Sequence, residues 1–226
     1  DVMYAEDWDK VLPITIHGDA AVAGQGVVYE VLQMSKLKGF RVGGTIHFVI
    51  NNQIGFTTDF DDARTSNYCT SYAATVQAPV IHVNGDDAEA VVFACELAVD
   101  YRQEFNKDIF VDMVCYRKHG HNEGDDPKYT QPTLYKLIEN KKNPREIYVQ
   151  KLLSSHDIDK ELATDMEKDF WNELQQRLDQ IKQQPLTYQY QAPEEAWRKL
   201  KKIIDIPVDF ANLPETTGGE ENADHT

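Results

Sequence analysis

The sequence predicts an α/β fold with a doubly wound parallel sheet, followed by a C-terminal helical extension. Short apolar segments with strand character alternate with segments of helical spacing over about the first 130 residues. Such alternation is typical of parallel sheets covered by helices. From about residue 131, charged amphipathic segments follow one another without a strand pattern between them. A chain of 226 residues is long enough for one such domain with a helical piece attached.

Apolar, β-branched segments predict four strands for this sheet. They cover residues 12–17, 45–50, 80–83 and 108–117. Helical spacing predicts helices over residues 25–38, where Gly39 would end the helix, and over residues 88–105, where Asp86 or Asp87 would cap the first turn. Because the strand over 108–117 is apolar along most of its length, we expect it in the middle of the sheet.

The second part of the chain is predicted to be helical. The amphipathic pattern places helices over residues 133–140, 143–156 and 160–183, with Pro144 at a helix start. We therefore divide the chain into an upstream linker, an α/β domain, a helical linker region and an acidic, disordered tail. Their ranges are 1–10, 11–130, 131–205 and 206–226.

Composition excludes several classes of partner. The net charge of −15 and a pI near 4.8 argue against nucleic acids and anionic membranes as partners. No apolar segment has the length of a membrane span, and no signal-peptide pattern opens the sequence. Three widely spaced cysteines predict reduced thiols. Reduced thiols fit the bacterial cytoplasm, which we favour, or the mitochondrial matrix.

Polar side chains follow two of the predicted strands directly. Asp19 comes after the first strand, and Asn51 and Asn52 come after the second. Ligands of open α/β sheets bind at these carboxyl ends of the strands. Carboxylate and amide oxygens suit a Mg²⁺ ion that is shared with the phosphates of a ligand. Nearby glycines would let the backbone approach a pyrophosphate: Gly18, Gly24 and Gly26.

Each of these residues also has a structural alternative. Asp19 could cap a helix beginning near Gln25, and the glycines could be turn residues. His119 and His121 lie in a polar loop after the last strand, where a histidine is usually solvated or, with further ligands, binds zinc. A nucleotide-binding P-loop is disfavoured, because no Lys-Ser/Thr pair follows the GQG segment.

Four sequence blocks together resemble a known family. The blocks IHGDAAVAGQG, NNQIGFTTDFDDARTSNYCT, VQAPVIHVNGDDAEAV and VCYRKHGHNEGDDPKYTQP occur in the order seen in the first component of 2-oxoglutarate dehydrogenase, a thiamin diphosphate-dependent decarboxylase. The resemblance covers residues 11–153 and weakens towards residue 202. Chains of that family are several times longer, so we expect this sequence to be an internal piece with the diphosphate-binding domain.

The resemblance implies thiamin diphosphate and Mg²⁺ as cofactors. It assigns the metal to side-chain oxygens of Asp19 and Asn52 and to the main-chain carbonyl of Ile54. It assigns cofactor contacts to Gly18, Asp19, Ala20, Ala21, Asn52, Ile54 and His121. His121 is implied as the catalytic histidine that faces the thiazolium, with His119 as a weaker candidate.

The activity implied is oxidative decarboxylation of 2-oxoglutarate, with succinyl transfer to lipoyl groups of a transacylase partner. The family is homodimeric, and the glutamate that activates its cofactor lies in another domain, so we expect residues 1–226 alone to be inactive. A 2-oxoadipate dehydrogenase and a 2-oxoglutarate decarboxylase are the nearest alternatives. A transketolase is more distant, and a non-catalytic phosphate-binding module is the alternative from another class.

Overall fold

A computed structural model describes residues 7–183 and Arg198 of the chain. The chain divides into two compact units, residues 1–165 and residues 166–226. The first six residues of the predicted linker, residues 184–205 of the predicted helical region apart from Arg198, and the whole predicted acidic tail lie outside the described residues.

Six strands form two sheets within the described ranges. They are β1 (Ile14–Gly18), β2 (Ile46–Asn51), β3 (Ile54–Gly55), β4 (Thr58–Asp59), β5 (Val80–Asn84) and β6 (Ile109–Val114). Four of them make a parallel sheet in the order β1-β2-β6-β5, while β3 and β4 form a short antiparallel ribbon. Strand β6 lies inside the sheet, as its apolar sequence predicts. Strand β1 lies at an edge, with Ile14 55% and Ile16 70% exposed.

Helices account for most of the remaining described chain. They are α1 (Asp19–Gly24), α2 (Val27–Met34), α3 (Phe60–Ala63), α4 (Ala88–Phe105), α5 (Pro132–Glu139), α6 (Pro144–Ser155) and α7 (Lys160–Gln183). A 3-10 helix covers Cys69–Val76. The predictions of helices α4 to α7 are confirmed, including Pro144 at the start of α6 and Asp87, whose side chain accepts a hydrogen bond from Ala90 N at the start of α4. None of the helices described is both long and apolar enough to cross a membrane.

The parallel sheet is covered by helices on both faces because its side chains alternate in direction. On one face Val49 packs against α1, α2 and the 3-10 helix, through residues such as Val22 and Leu32. On the other face Ile46 packs in a cluster that includes Ala98 of α4. Burial on both faces is what a parallel sheet requires. The prediction of a parallel α/β fold is therefore confirmed.

The chain after β1 differs from the prediction. The segment between the first predicted strand and the first predicted helix forms helix α1, and the helix predicted over residues 25–38 is only α2, which ends at Met34. Consecutive alanines favour helix directly after the strand. Gly26, with a φ of 77°, separates α1 from α2. The Ser35 hydroxyl donates to the Leu32 carbonyl where α2 ends.

Candidate functional site

Asp19 and Asn51 lie side by side at the carboxyl ends of two neighbouring strands of the parallel sheet. Gly18, the last residue of β1, is paired with Ile50 of β2, and each of the two polar residues comes next in its chain. Neighbouring strands are about 4.8 Å apart. The sheet therefore brings together the two polar groups that the sequence analysis singled out.

The Asp19 carboxylate is buried beside a single cation. Asp19 is 2% exposed, and its Oδ2 lies 3.9 Å from Nη1 of Arg64. Burial raises the pKa of the Asp19 carboxyl above its ordinary value, although Arg64 acts in the opposite direction. Nε of Arg64 is also buried and has no hydrogen-bond partner among the described residues. A buried cation with an unsatisfied donor next to a buried carboxylate suits an anionic ligand with a metal counterion.

The alternative that Asp19 caps a helix near Gln25 is wrong. Asp19 is the first residue of α1, which is preceded by Gly18, and α2 begins after Gly26. Neither of these two capping glycines can supply a side-chain hydrogen bond. Around Gly18 the backbone is open, since a Cβ atom added there would meet no atom within 4 Å. The carboxylate therefore does not cap α2, but it accepts hydrogen bonds from the main-chain N–H groups of Asp19 and Ala20 at the start of α1.

The loop between β2 and β3 is fixed by its own side chains. Asn51 Oδ1 accepts a hydrogen bond from Gln53 N at 3.2 Å, and Asn52 Oδ1 accepts one from Ile54 N at 3.3 Å. The Gln53 side chain donates to the Cys115 carbonyl at 2.8 Å. These bonds support a left-handed backbone at Gln53, with a φ of 65°, which non-glycine residues rarely adopt. We call Asn52–Ile54 the clamp loop.

Gly55, which follows the clamp loop, lies close to the start of α1. A Cβ atom added to Gly55 would lie 2.8 Å from Cβ of Ala20, so this position requires glycine. The approach places Asn52 and Ile54 at the same edge of the sheet as Asp19. A carboxylate, an amide oxygen and a main-chain carbonyl are hard oxygen donors, which are the donors that Mg²⁺ prefers. No cluster of three His, Cys, Asp or Glu side chains that could hold a metal is found within the described ranges.

His119 and His121 line a cleft next to the clamp loop. Both are exposed, and the cleft of about 1260 Å³ is bounded by their loop and by residues of α5 and α6. Asn52 and Ile54 instead line a smaller cavity of about 310 Å³. Both cavities share Tyr116, Tyr135 and Ile138 as wall residues. The histidines and the clamp loop therefore occupy adjoining cavities rather than one.

Phe56 contacts the histidine loop. Its ring meets the His121 imidazole edge-on at a centroid distance of 4.9 Å, and its carbonyl accepts a hydrogen bond from Nη2 of Arg117 at 2.9 Å. Nε of Arg117 donates to the Tyr135 hydroxyl at 3.1 Å, and that hydroxyl donates to the His119 carbonyl at 3.2 Å. The segment that follows the clamp loop is therefore in direct contact with the histidine loop.

A buried polar network centred on Asp112 was not predicted. Asp112 of β6 is 0% exposed and is hydrogen-bonded to Asn51 and His82, and the ring of Tyr68 contacts the His82 ring in a tilted arrangement at a centroid distance of 4.4 Å. Its signal in the sequence is one acidic residue inside the apolar segment DIFVDMVCYR. That signal is weak, because its partners are far away in the chain.

Burial disfavours the thiolate form of all three cysteines by raising their pKa values. All three are free. Burial, together with the carboxylates of Asp112 and Asp19, raises the pKa of the Cys69 thiol to about 12. Burial likewise raises the pKa of Cys115 to about 11. Both thiols are therefore protonated at neutral pH and do not act as nucleophiles.

The chain is similar to a family of dehydrogenases. The family model described as "Dehydrogenase E1 component" matches residues 2–189. The chain is 50% identical over 177 residues to the "Multifunctional 2-oxoglutarate metabolism enzyme" of Mycolicibacterium vanbaalenii, which covers 78% of this chain and 14% of that protein. It is 46% identical over 222 residues to the "2-oxoglutarate dehydrogenase E1 component" of Haemophilus influenzae, covering 92% of this chain and 24% of that protein. The chain thus spans at most about a quarter of the length of these relatives.

Proposed function

Since the chain belongs to the dehydrogenase E1 component family, we propose that it forms the diphosphate-binding part of a 2-oxoglutarate dehydrogenase with a thiamin diphosphate-binding fold. The observation that carries this proposal is the meeting of Asp19 and the clamp loop at the carboxyl edge of a parallel sheet. The names of both relatives include 2-oxoglutarate, which supports this acid as the substrate. A non-catalytic phosphate-binding module has less support, because the family is one of dehydrogenases.

The buried edge of the sheet is proposed to hold the cofactor. Asp19, Asn52 and the carbonyl of Ile54 would bind Mg²⁺, and the backbone from Gly18 through Ala20 and Ala21 would face the diphosphate. The unsatisfied Nε of Arg64 and the open space at Gly18 support an anion at this place. When bound, thiamin diphosphate supplies the electron sink that allows carbon dioxide to leave a 2-keto acid.

The histidine loop is proposed to carry the proton chemistry. His121 would hold or transfer a proton at the keto oxygen of 2-oxoglutarate, a task suited to an imidazole ring. Phe56 orients its ring, and Asp125 accepts a hydrogen bond from the main-chain N–H of His121 at 2.9 Å. His119 is the second candidate, since its carbonyl is held by Tyr135.

The partners follow from the same proposal. The succinyl group formed from 2-oxoglutarate would pass to a lipoyl group on a transacylase component, and the complete enzyme would be a homodimer. Turnover requires cofactor contacts from parts of the enzyme other than these residues. The full-length protein is therefore the material for every test of activity.

Calorimetric titration of the full-length apoprotein with Mg²⁺, in the presence of thiamin diphosphate, tests the proposal. We expect Asp19→Ala to weaken Mg²⁺ binding by more than about 10²-fold, because loss of a direct ligand exceeds the 10- to 100-fold effect of outer partners. Activity with 2-oxoglutarate should be abolished in parallel. Asp62→Ala, which removes an exposed acid of the neighbouring helix α3, is the matched control and should bind like the wild type. Wild-type affinity in Asp19→Ala would refute the metal site.

A further inference from the structure

The Asp112 carboxylate lies in the centre of the sheet, where burial of a charged group is energetically unfavourable. It lies on β6, between β2 and β5, and is fully buried. Burial of an ionised carboxylate is unfavourable unless hydrogen bonds and nearby charges compensate for the lost water. The metal and cofactor contacts proposed above make no use of this residue.

Its two oxygens bind side chains from both neighbouring strands. Asp112 is in register with Val49 of β2 and with His82 of β5. Oδ1 accepts a hydrogen bond from Nδ2 of Asn51 at 3.0 Å, and Oδ2 lies 2.9 Å from Nδ1 of His82. Sγ of Cys69, a protonated thiol, lies 4.0 Å from Oδ1. The carboxylate therefore joins three segments that meet behind the clamp loop.

The hydrogen bond between Asn51 and Asp112 determines the orientation of the Asn51 amide. Because the carboxylate only accepts hydrogen bonds, Nδ2 of Asn51 must face Asp112. Oδ1 of Asn51 is then directed at Gln53 N, the bond that supports the left-handed residue in the clamp loop. The next residue in the chain is Asn52, whose own oxygen accepts from Ile54 N. The conformation of the proposed metal ligands thus depends on a carboxylate that does not touch them.

We propose that Asp112 is a positioning residue that sets the clamp loop in its metal-binding conformation through Asn51. The inference rests on the proposed function, since it concerns the same metal site. Substitution of a residue that orients metal ligands without touching the metal typically lowers metal affinity by about 10- to 100-fold. Because Asp112 acts before the metal binds, its loss should weaken Mg²⁺ binding but leave turnover at saturating Mg²⁺ unchanged.

Exchange of the amide and the carboxylate between positions 51 and 112 tests the proposal in the full-length protein. In Asn51→Asp two carboxylates would face each other, and we expect Mg²⁺ affinity to fall by about 10- to 100-fold. A simple charge effect predicts the opposite, because the added negative charge lies near the metal site. In Asn51→Asp with Asp112→Asn, the new amide at position 112 can donate to the new carboxylate at position 51 and accept from His82. This double variant should bind Mg²⁺ within about threefold of the wild type, since the direct ligands are unchanged.

A buried carboxylate at the opposite end of the same sheet provides the control. Asp108 immediately precedes β6, is 6% exposed and accepts a hydrogen bond from Thr45 N at 2.8 Å. Asp108→Asn should lower the Tm of the apoprotein while Mg²⁺ affinity, measured by calorimetry with thiamin diphosphate present, stays unchanged.

The outcomes separate the inference from the proposed function. Weak binding by Asn51→Asp that the second substitution restores, at unchanged kcat, supports the positioning role. Equal affinity in the wild type and Asn51→Asp, or no restoration in the double variant, would overturn it while the proposed function stands. A wild-type protein that binds neither Mg²⁺ nor thiamin diphosphate would overturn both.

Discussion

Asp19 directly follows β1 and His121 lies in the loop after β6, and the surroundings of the two residues differ. Asp19 is buried at the start of α1 next to Arg64, whereas the His121 side chain is exposed in a cleft and its main chain is held by Asp125. The carboxylate proposed to bind the metal is thus fixed by the core, while the group proposed to move protons lies on a surface loop. This difference implies that binding and turnover are separable by mutation.

The largest effect on turnover alone is expected at His121. His121→Ala should lower kcat by about 10²- to 10⁴-fold, the usual contribution of a positioned acid–base group. Cofactor affinity should stay unchanged because the buried edge is untouched. Steady-state kinetics with 2-oxoglutarate and calorimetry of cofactor binding, both on the full-length enzyme, measure the two effects.

The neighbouring histidine is the control for this variant. His119→Ala should have a smaller effect on kcat, because among the described residues the hydrogen-bond partner of His119, Tyr135, binds its main-chain carbonyl and not its ring. Equal and mild effects of both substitutions would show that the loop only covers the site, and the separation of binding from turnover would fail.

At Gly18 we expect a smaller effect, and it should fall on cofactor binding rather than on turnover. The added methyl group of Gly18→Ala meets no atom within 4 Å, so the apoprotein should keep its Tm. If the diphosphate occupies that space, the methyl group should cost about 1–3 kcal/mol of cofactor binding, as overpacking does. Gly24→Ala is the matched control, since it also meets nothing within 4 Å but lies at the far end of α1. Equal cofactor affinities in the two variants, measured by calorimetry, would contradict the assignment of Gly18.

The smallest effect concerns the stability of the protein without metal. Burial raises the pKa of Asp19 in the folded state. The proton therefore stabilises the folded protein at low pH, and this contribution is lost as the pH rises through the folded pKa. Asp19→Asn keeps the shape without the charge, so its Tm at pH 7 should exceed that of the wild type by a few degrees, about 2–4 °C per kcal/mol for a chain of this size.

Thermal melts without divalent cations at several pH values measure this difference. The excess in Tm should shrink as the pH falls, because the wild-type carboxyl is then protonated as well. A wild-type protein that gains stability over Asp19→Asn as the pH rises would show that Arg64 outweighs burial. The carboxylate would then be part of a stabilising ion pair rather than a group reserved for metal.

Local signals in the sequence were sufficient for the parallel sheet and for the placement of Asp19 and the two asparagines at its edge. Alternation of apolar segments and turn residues is a property of neighbouring residues. Helix α1 was missed because glycines on both sides of Asp19–Ala23 masked a short run of helix-forming alanines. Asp112 was missed because its partners, Asn51 and His82, lie 61 and 30 residues away in sequence and meet it only across paired strands. Pairing of this kind is not visible in a single sequence.

The position of β1 has a consequence for handling the isolated chain. As an edge strand it directs main-chain donors and acceptors away from β2, next to the exposed side chains of Ile14 and Ile16. Exposed apolar residues on an edge strand favour strand-to-strand association between molecules. In colloidal terms, the net charge of −15 keeps molecules apart at low ionic strength, and added salt screens that repulsion. Self-association of residues 1–226 through β1 is therefore promoted by concentrated salt and opposed by dilute buffer.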